Sequence, residues 1–234
     1  MTDADAFIRA NTILTTARHV PEVRLHLATE ITPIWQATEA WLADRNIAPP
    51  FWAFAWPGGQ ALARHILDHP ALAGGRHVLD FAAGGGIAAI ACALAGAASV
   101  EAAEIDPLAV AAIALNAAAN RVAVHPCGDV VGTACRWDLI LCGDVCYEAP
   151  MAGHIMPWLA AMAGSAPMAA PGAAPRSGPR SAPRSTEVWI ADPGRAYLPR
   201  SGLALLASYR IETTLELEDR TSRDVAIYRL EPPG

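Results

Sequence analysis

Short apolar runs alternate with alanine-rich stretches along most of this chain. The run Val78-Leu79 ends in Asp80 and opens through Phe81, Ala82 and Ala83 into Gly84-Gly85-Gly86. Residues 87–95 then carry the composition of a buried helix. A second apolar run, residues 98–103, ends in Glu104, and Pro107 behind Asp106 suits the first position of a helix over residues 107–120. Later runs predict strands over residues 122–125, 137–142, 187–191, 210–217 and 224–230, with helices over 151–162 and 203–208. Upstream, the pattern predicts helices over residues 4–17, 34–42 and 57–67 and a strand over 23–28. Pro49-Pro50 halts the second of these helices, and Phe51 to Trp56 forms an aromatic segment before Pro57. Strands alternating with helices, then a closing strand pair, predict an α/β fold with a mainly parallel sheet.

Residues 1–48 read as an N-terminal extension and residues 49–234 as one domain. Within it, residues 164–185 (GSAPMAAPGAAPRSGPRSAPRS) are rich in Pro, Ala, Ser and Arg and lack periodicity. They read as a disordered surface insertion.

The 234 residues, 53% hydrophobic and 17% charged, suffice for one sizeable core. A net charge of −6 gives no overall attraction to nucleic acid or to an anionic membrane. No apolar run approaches the roughly 20 residues of a membrane span. Asp3 and Asp5 with no apolar stretch behind them argue against a signal or transit peptide. Five cysteines form no C-x-x-C pair, which points to reduced thiols in a cytoplasmic protein. All 17 basic residues are arginine, so a Walker lysine, a Schiff-base lysine and any lysine nucleophile are excluded. The alanine- and arginine-rich composition points to a GC-rich bacterial genome.

The strand–loop–helix–strand unit from Val78 to Glu104 is a floor for a nucleoside. Its small residues let a ligand approach bare backbone, and Glu104 is placed to accept from ribose hydroxyls. Gly84-x-Gly86-x-x-Ala89 also matches a dinucleotide pattern. Asp80 favours S-adenosylmethionine (AdoMet), because an acid at the strand end repels a pyrophosphate and suits a cationic amino-acid group. His65 and His69 share a helix face at metal-ligand spacing without an acidic or cysteine partner, so surface histidines are expected and no metal.

Six segments carry a family resemblance: Pro50-Phe51-Trp52-Ala53-Phe54-Ala55-Trp56-Pro57-Gly58-Gly59-Gln60, Val78-Leu79-Asp80, Glu104-Ile105-Asp106-Pro107, Trp137-Asp138-Leu139, Gly143-Asp144-Val145-Cys146-Tyr147 and Asp192-Pro193-Gly194-Arg195. With these the chain resembles the seven-strand class I AdoMet-dependent methyltransferases. Among them it is similar to the family that methylates lysines on non-histone proteins, and most of all to the electron transfer flavoprotein β-subunit lysine methyltransferases. The resemblance implies a Rossmann-like seven-stranded sheet, AdoMet as cofactor, the flavoprotein β-subunit as protein partner, and a monomer. It implies catalytic roles for Asp144 and Tyr147, which would orient the amine and wall it. It places Trp56, Gln60, Asp80, Ala82, Gly84, Gly86, Glu104 and Asp129 around the cofactor, with Asp129 accepting from the adenine amino group. Asp192 and Arg195 would shape the substrate side or form a structural turn. Three features depart from the family. Ala82 stands for a loop glycine, which is tolerable at negative φ. Glu104 stands for the commoner aspartate, and the 164–185 insertion has no counterpart. Methylation of another protein, such as a ribosomal protein, of a small molecule or of a nucleic-acid amine, and a non-catalytic nucleotide-binding module, are the alternatives at this stage.

Overall fold

The computed structural model describes residues 3–29, 32, 34, 48–168, 185–214 and 218–232. Its elements are α1 (Asp3–Asn11), β1 (Ile13–Ala17), β2 (Val20–Leu27), α2 (Pro57–Asp68), β3 (His77–Phe81), α3 (Ile87–Leu94), β4 (Ser99–Ala103), α4 (Pro107–Asn120), β5 (His125–Cys127), β6 (Leu139–Gly143), α5 (Ala149–Met162), β7 (Glu187–Asp192), β8 (Leu203–Glu212) and β9 (Ser222–Leu230). A single 3₁₀ turn, Phe51–Ala53, precedes α2.

Seven strands form one sheet in the order β5-β4-β3-β6-β7-β9-β8. The first five are mutually parallel, and β9 runs antiparallel between β7 and β8. The expected seven-stranded, mainly parallel Rossmann-like sheet is therefore present. Strand order reverses between β3 and β6, so the crevice outside their carboxyl ends is where a ligand binds in such sheets. One sheet face packs Leu62 and Ile66 of α2 and Ile90 of α3 against Val78, Leu139 and Leu141. The other packs Ile155, Trp158 and Leu159 of α5 against Leu79, Ile140 and Val188. Both faces are covered, which is why the central strands read as unbroken apolar runs.

Four local expectations are corrected. The helix over residues 4–17 stops at Asn11, and the run Ile13-Leu14-Thr15-Thr16, β-branched at all but Leu14, lies in strand β1, paired antiparallel with β2. The third strand of the parallel set is β5 at His125–Cys127, behind the stretch 122–125. The helix over 203–208 is the first half of β8, where pairing with β9 overrides the helical propensity of Leu and Ala. His65 is buried, not superficial: its Nδ1 lies 2.9 Å from the Tyr209 hydroxyl and its ring faces Trp189. The helix placed over 34–42 lies almost wholly outside the described residues, as does most of the 164–185 insertion. The two ends of that insertion are joined, since Gly164 N–H donates to Thr186 O at 2.9 Å and Thr186 N–H to Ser165 O at 2.8 Å.

The β1–β2 hairpin shares the main core through Ala17, Val20, Val23, Leu25 and Leu27. Helix α4 ties down its outer edge. Asn116 Oδ1 accepts from His26 N–H, Asn120 Oδ1 accepts from Arg24 N–H, and Asn120 Nδ2 donates to Arg24 O. Two asparagines one turn apart thus cover a strand edge that would otherwise stay unpaired.

Candidate active site

Asp80 ends the central strand and is 3% exposed. Its Oδ2 accepts from Ala89 N–H at 2.8 Å, within the first turn of α3. Burial pushes its carboxyl up to about 7, against the pull of that backbone donor. Glu104, at the end of β4, closes on the loop: Oε1 accepts from Gly84 N–H at 2.8 Å and Oε2 from Ile105 N–H at 3.0 Å. Burial raises this carboxyl too, and the backbone donors oppose the shift. The loop between them is tight. Gly84 (φ 54°) and Gly86 (φ 80°) are left-handed, and so is Ala82 at φ 53°. Ala82 therefore lacks the negative φ that would make it tolerable: an alanine occupies a conformation that favours glycine.

Trp52, Phe54, Ala55, Trp56 and Gly59 wall one side of a cleft floored by Asp80, Ala82, Ala83, Gly84 and Gly85, with Leu25 and Leu27 of the hairpin at its side. Gly85 has no room for a side chain, because a Cβ there would lie 2.9 Å from Trp52 O. Asn116 Nδ2 donates to Gly85 O at 2.8 Å, so one asparagine clamps the loop to the hairpin. Sequence reasoning missed Asn116 and the hairpin leucines. The only signal was an asparagine set in the apolar run of an alanine helix.

Gln60 is buried, with Nε2 donating to Ala55 O at 2.7 Å and Oε1 without a partner among the described residues. Trp56 Nε1 donates to Phe51 O at 2.8 Å. The Phe51 ring lies 6.0 Å from both Trp56 and Tyr147. Phe51 and Tyr147 are both substantially exposed, so they form an aromatic rim to the cleft. Burial raises the Tyr147 hydroxyl, and the neighbouring Glu148 adds to the shift. Asp129 follows β5 at the same sheet edge, where it is exposed and its Oδ1 accepts from Val131 N–H. Asp106 caps α4 through Leu108 N–H, as its position before Pro107 predicts.

Asp144 follows β6 and is 8% exposed at φ 56°, an uncommon conformation for a residue with a side chain. Its Oδ2 accepts from Gly58 N–H at 2.5 Å, so it caps α2, not the helix that follows it. Glycine is obligatory at position 58, since a Cβ would fall 2.5 Å from Asp144 Oδ2 and 2.6 Å from Ala191 O. Gly143 is equally tight: a Cβ there would fall 2.8 Å from Gly59 N. The Trp-Pro-Gly-Gly segment and the Gly-Asp-x-x-Tyr segment are thus two halves of one contact.

Arg195 completes the group. Its Nη2 lies 2.9 Å and its Nε 3.3 Å from Asp144 Oδ1. The same Nη2 lies 2.5 Å from Glu218 Oε1, and Glu218 Oε2 accepts from Arg223 Nε at 2.9 Å. Glu218 is almost wholly buried, so an alternating row of acid and base runs back from Asp144. Burial pushes the Asp144 carboxyl up to about 6, while Arg195 and the Gly58 N–H hold it down. Asp192 shapes the Arg195 turn, with Oδ1 accepting from Gly194 and Arg195 N–H. The pairing of Arg195 with Asp144 was not foreseen, because the partners are 51 residues apart. No group of His, Cys, Asp and Glu suited to a metal is found among the described residues.

A parallel sheet with acids at its carboxyl edge, a glycine loop and a glycine-gated carboxylate is the layout of a class I methyltransferase. The family model for ribosomal protein L11 methyltransferase (PrmA) matches residues 61–142. The chain superposes on the Trm5b structure from Pyrococcus abyssi with a TM-score of 0.51 at 14% identity, over 95% of this chain and 56% of that one. A Thermoplasma acidophilum structure gives a TM-score of 0.50 at 18% identity, over 75% and 88%. Both likenesses show the fold alone. The electron transfer flavoprotein beta subunit lysine methyltransferase of Danio rerio is 34% identical over 97% of this chain and 83% of its own length. The Xenopus laevis protein of that description is 34% identical over 97% and 87%. The chain belongs to this lysine methyltransferase family.

Proposed function

We propose that this methyltransferase binds AdoMet in the cleft between Asp80 and Glu104 and methylates a lysine of the electron transfer flavoprotein β-subunit. The observation that carries the reading is Asp144, a buried carboxylate beside an aromatic rim and the cofactor cleft. The cleft fits AdoMet by its chemistry. Asp80 has an oxygen to which no described residue donates, suited to a cationic amino group. The middle is apolar, and Glu104 carries a carboxylate within reach of a diol. Gly84 and Gly85 leave bare backbone at the floor. Bound there, AdoMet supplies an electrophilic methyl group.

The residues of this chain position the acceptor. Asp144 Oδ1 is filled by Arg195, and Oδ2 retains one lone pair beyond Gly58 N–H, enough for one amine N–H. Tyr147 and Phe51 exclude water from the amine and restrict its approach. A free lysine has a pKa near 10.4, so the proton must leave before the lone pair can form the new N–C bond. The full-length likeness to the two vertebrate enzymes supports the β-subunit as acceptor. The same reading takes the enzyme to a reducing cytosol in a bacterium and to a monomer acting without nucleic acid or membrane. Five free cysteines support the reducing compartment, and the net charge of −6 supports action without nucleic acid.

The test is radiolabelled AdoMet with purified flavoprotein, followed by mass spectrometry. Methyl-lysine on the β-subunit is expected. Because this chain has no lysine, none of that signal comes from the enzyme. Label confined to another protein removes the acceptor assignment, and no transfer to any amine removes the mechanism.

A further inference from the structure

Asp144 is a problem for the chemistry just described. A lone carboxylate attracts an ammonium ion and stabilises it, which raises the pKa of the amine it is meant to present. The groups around it determine the balance. From the turn after β7, Arg195 places its guanidinium 2.9 Å from Oδ1. From α2, the helix N-terminus presents Gly58 N–H to Oδ2. From ahead of β9, Glu218 sits behind Arg195, itself paired with Arg223 and nearly inaccessible. Asp192 engages the Arg195 backbone, and Cys146 and Tyr147 follow Asp144 on its own loop with both protons held. Counted by pair, Asp144 with Arg195 and Glu218 with Arg223 are each neutral, and Asp192 at the Arg195 turn and Asp219, 3.0 Å from Arg223 Nη2, add negative charge around the two pairs.

We propose that Arg195 is a positioning residue that makes Asp144 a charge-neutral acceptor, so that the site takes the substrate lysine as free amine in preference to ammonium. The proposal rests on the lysine-methyltransferase reading. An amine donating to the free lone pair of Oδ2 stands on the same carboxylate as the guanidinium, about 5 Å from its charge. At that separation the guanidinium cancels most of the stabilisation that the carboxylate offers a proton on the amine. One N–H of the neutral amine goes to Asp144, and its lone pair is left for the methyl group. The proton is released to water before transfer, while the free lone pair of Asp144 Oδ2 holds one N–H of the remaining neutral amine. Glu218 tunes the same balance from behind, because its charge offsets part of the guanidinium field.

The experiment is the pH dependence of kcat for methyl transfer to the β-subunit, or to whichever acceptor the wild type labels, with AdoMet saturating. The kcat profile reports groups in the complex, including the bound amine. Arg195→Gln is expected to move the rising limb upward by about one to two pH units, lowering kcat near pH 7.5 by roughly ten- to a hundredfold. The rates converge at high pH, and KM falls because the ammonium now binds more tightly. Arg195→Lys keeps the charge and should keep the wild-type limb at a lower plateau. Glu218→Gln should move the limb the other way, to lower pH, and serves as the independent test if Arg195→Gln loses AdoMet affinity by calorimetry. A uniform loss of kcat in Arg195→Gln with an unmoved limb overturns the proposal while leaving the methyltransferase reading intact. So does a limb moved upward by Glu218→Gln. A wild-type enzyme that methylates no amine removes both.

Discussion

Asp80 sets stability against cofactor binding, and replacing it with asparagine separates the two. In the folded chain its carboxyl is pushed up to about 7 from an ordinary 3.8. Between roughly pH 4 and pH 7 the native state therefore holds a proton that the unfolded chain has released. By linkage, stability falls as pH rises across that window, the opposite of the usual salt-bridged carboxylate. The full shift corresponds to about 4 kcal/mol at 1.36 kcal/mol per unit. Asp80→Asn removes the charge and keeps an acceptor for Ala89 N–H. The variant should match the wild type near pH 4 and exceed it by about 2–4 kcal/mol at pH 8. Urea unfolding at several pH values reads this directly, and subtracting the two curves cancels the slopes that Glu104 and Asp144 contribute to both. Calorimetry with S-adenosylhomocysteine supplies the other half. The wild-type affinity should rise with pH through about 7 as Asp80 ionises, and the variant should bind at least about tenfold more weakly with no such rise. Equal stability differences at pH 5 and pH 8 would show that Asp80 is not a buried charge under strain, and the reasoning would fail.

Three more substitutions follow from local geometry. Gly58→Ala puts a methyl group against Asp144 Oδ2 and Ala191 O, so unfolding free energy should drop by about 2–3 kcal/mol despite better helix propensity. Methyl transfer in this variant should fall at least a hundredfold while AdoMet affinity changes little, as kinetics and calorimetry will show. Ala82→Gly relieves a left-handed alanine, and after the entropy cost of glycine it should gain about 0.5–1 kcal/mol, a rise in Tm of roughly 2 °C by calorimetry. Asn116→Ala leaves Gly85 O and His26 N–H buried without partners; it should cost about 2–4 kcal/mol and weaken AdoMet binding.

The parts of this fold that were legible in the sequence are those whose physics is local. Asp106-Pro107 marks a helix start because capping and a fixed φ act within three residues. Asp80 and Glu104 mark strand ends because an acid breaks an apolar run where the strand gives way to a loop. The misread parts are those where a distant partner decides. The stretch Leu203-Ala204-Leu205-Leu206-Ala207 has helical propensity throughout, yet β9 offers it a ladder from Leu203 to Glu212. His65 reads as half of a surface pair, yet Tyr209 and Trp189 enclose it from 144 and 124 positions away. The strain at Ala82 stays open in the sequence because no composition rule reports the sign of φ. Arg195 was noticed for its motif and not for its partner, since nothing in Asp192-Pro193-Gly194-Arg195 says that the guanidinium turns back to β6 and to Glu218.

What unites the legible and illegible residues is how the fold holds its acids. Asp80 rests one oxygen on the first turn of α3, and Asp144 rests one on the first turn of α2. In each case a helix N-terminus, with its partial positive charge and unpaired N–H groups, makes it possible to bury a carboxylate next to the sheet edge. Neither helix has a side-chain cap of its own, since Gly86 and Trp56 occupy the cap positions without a capping hydrogen bond. The acids therefore serve the helices, and the helices orient the acids. Each keeps its second oxygen for something else: Asp80 accepts nothing there from the described residues, whereas Asp144 takes a guanidinium. That asymmetry separates the two ends of the cleft. An anionic end suits a protonated amino group, and a neutralised end suits an amine that must arrive without its proton.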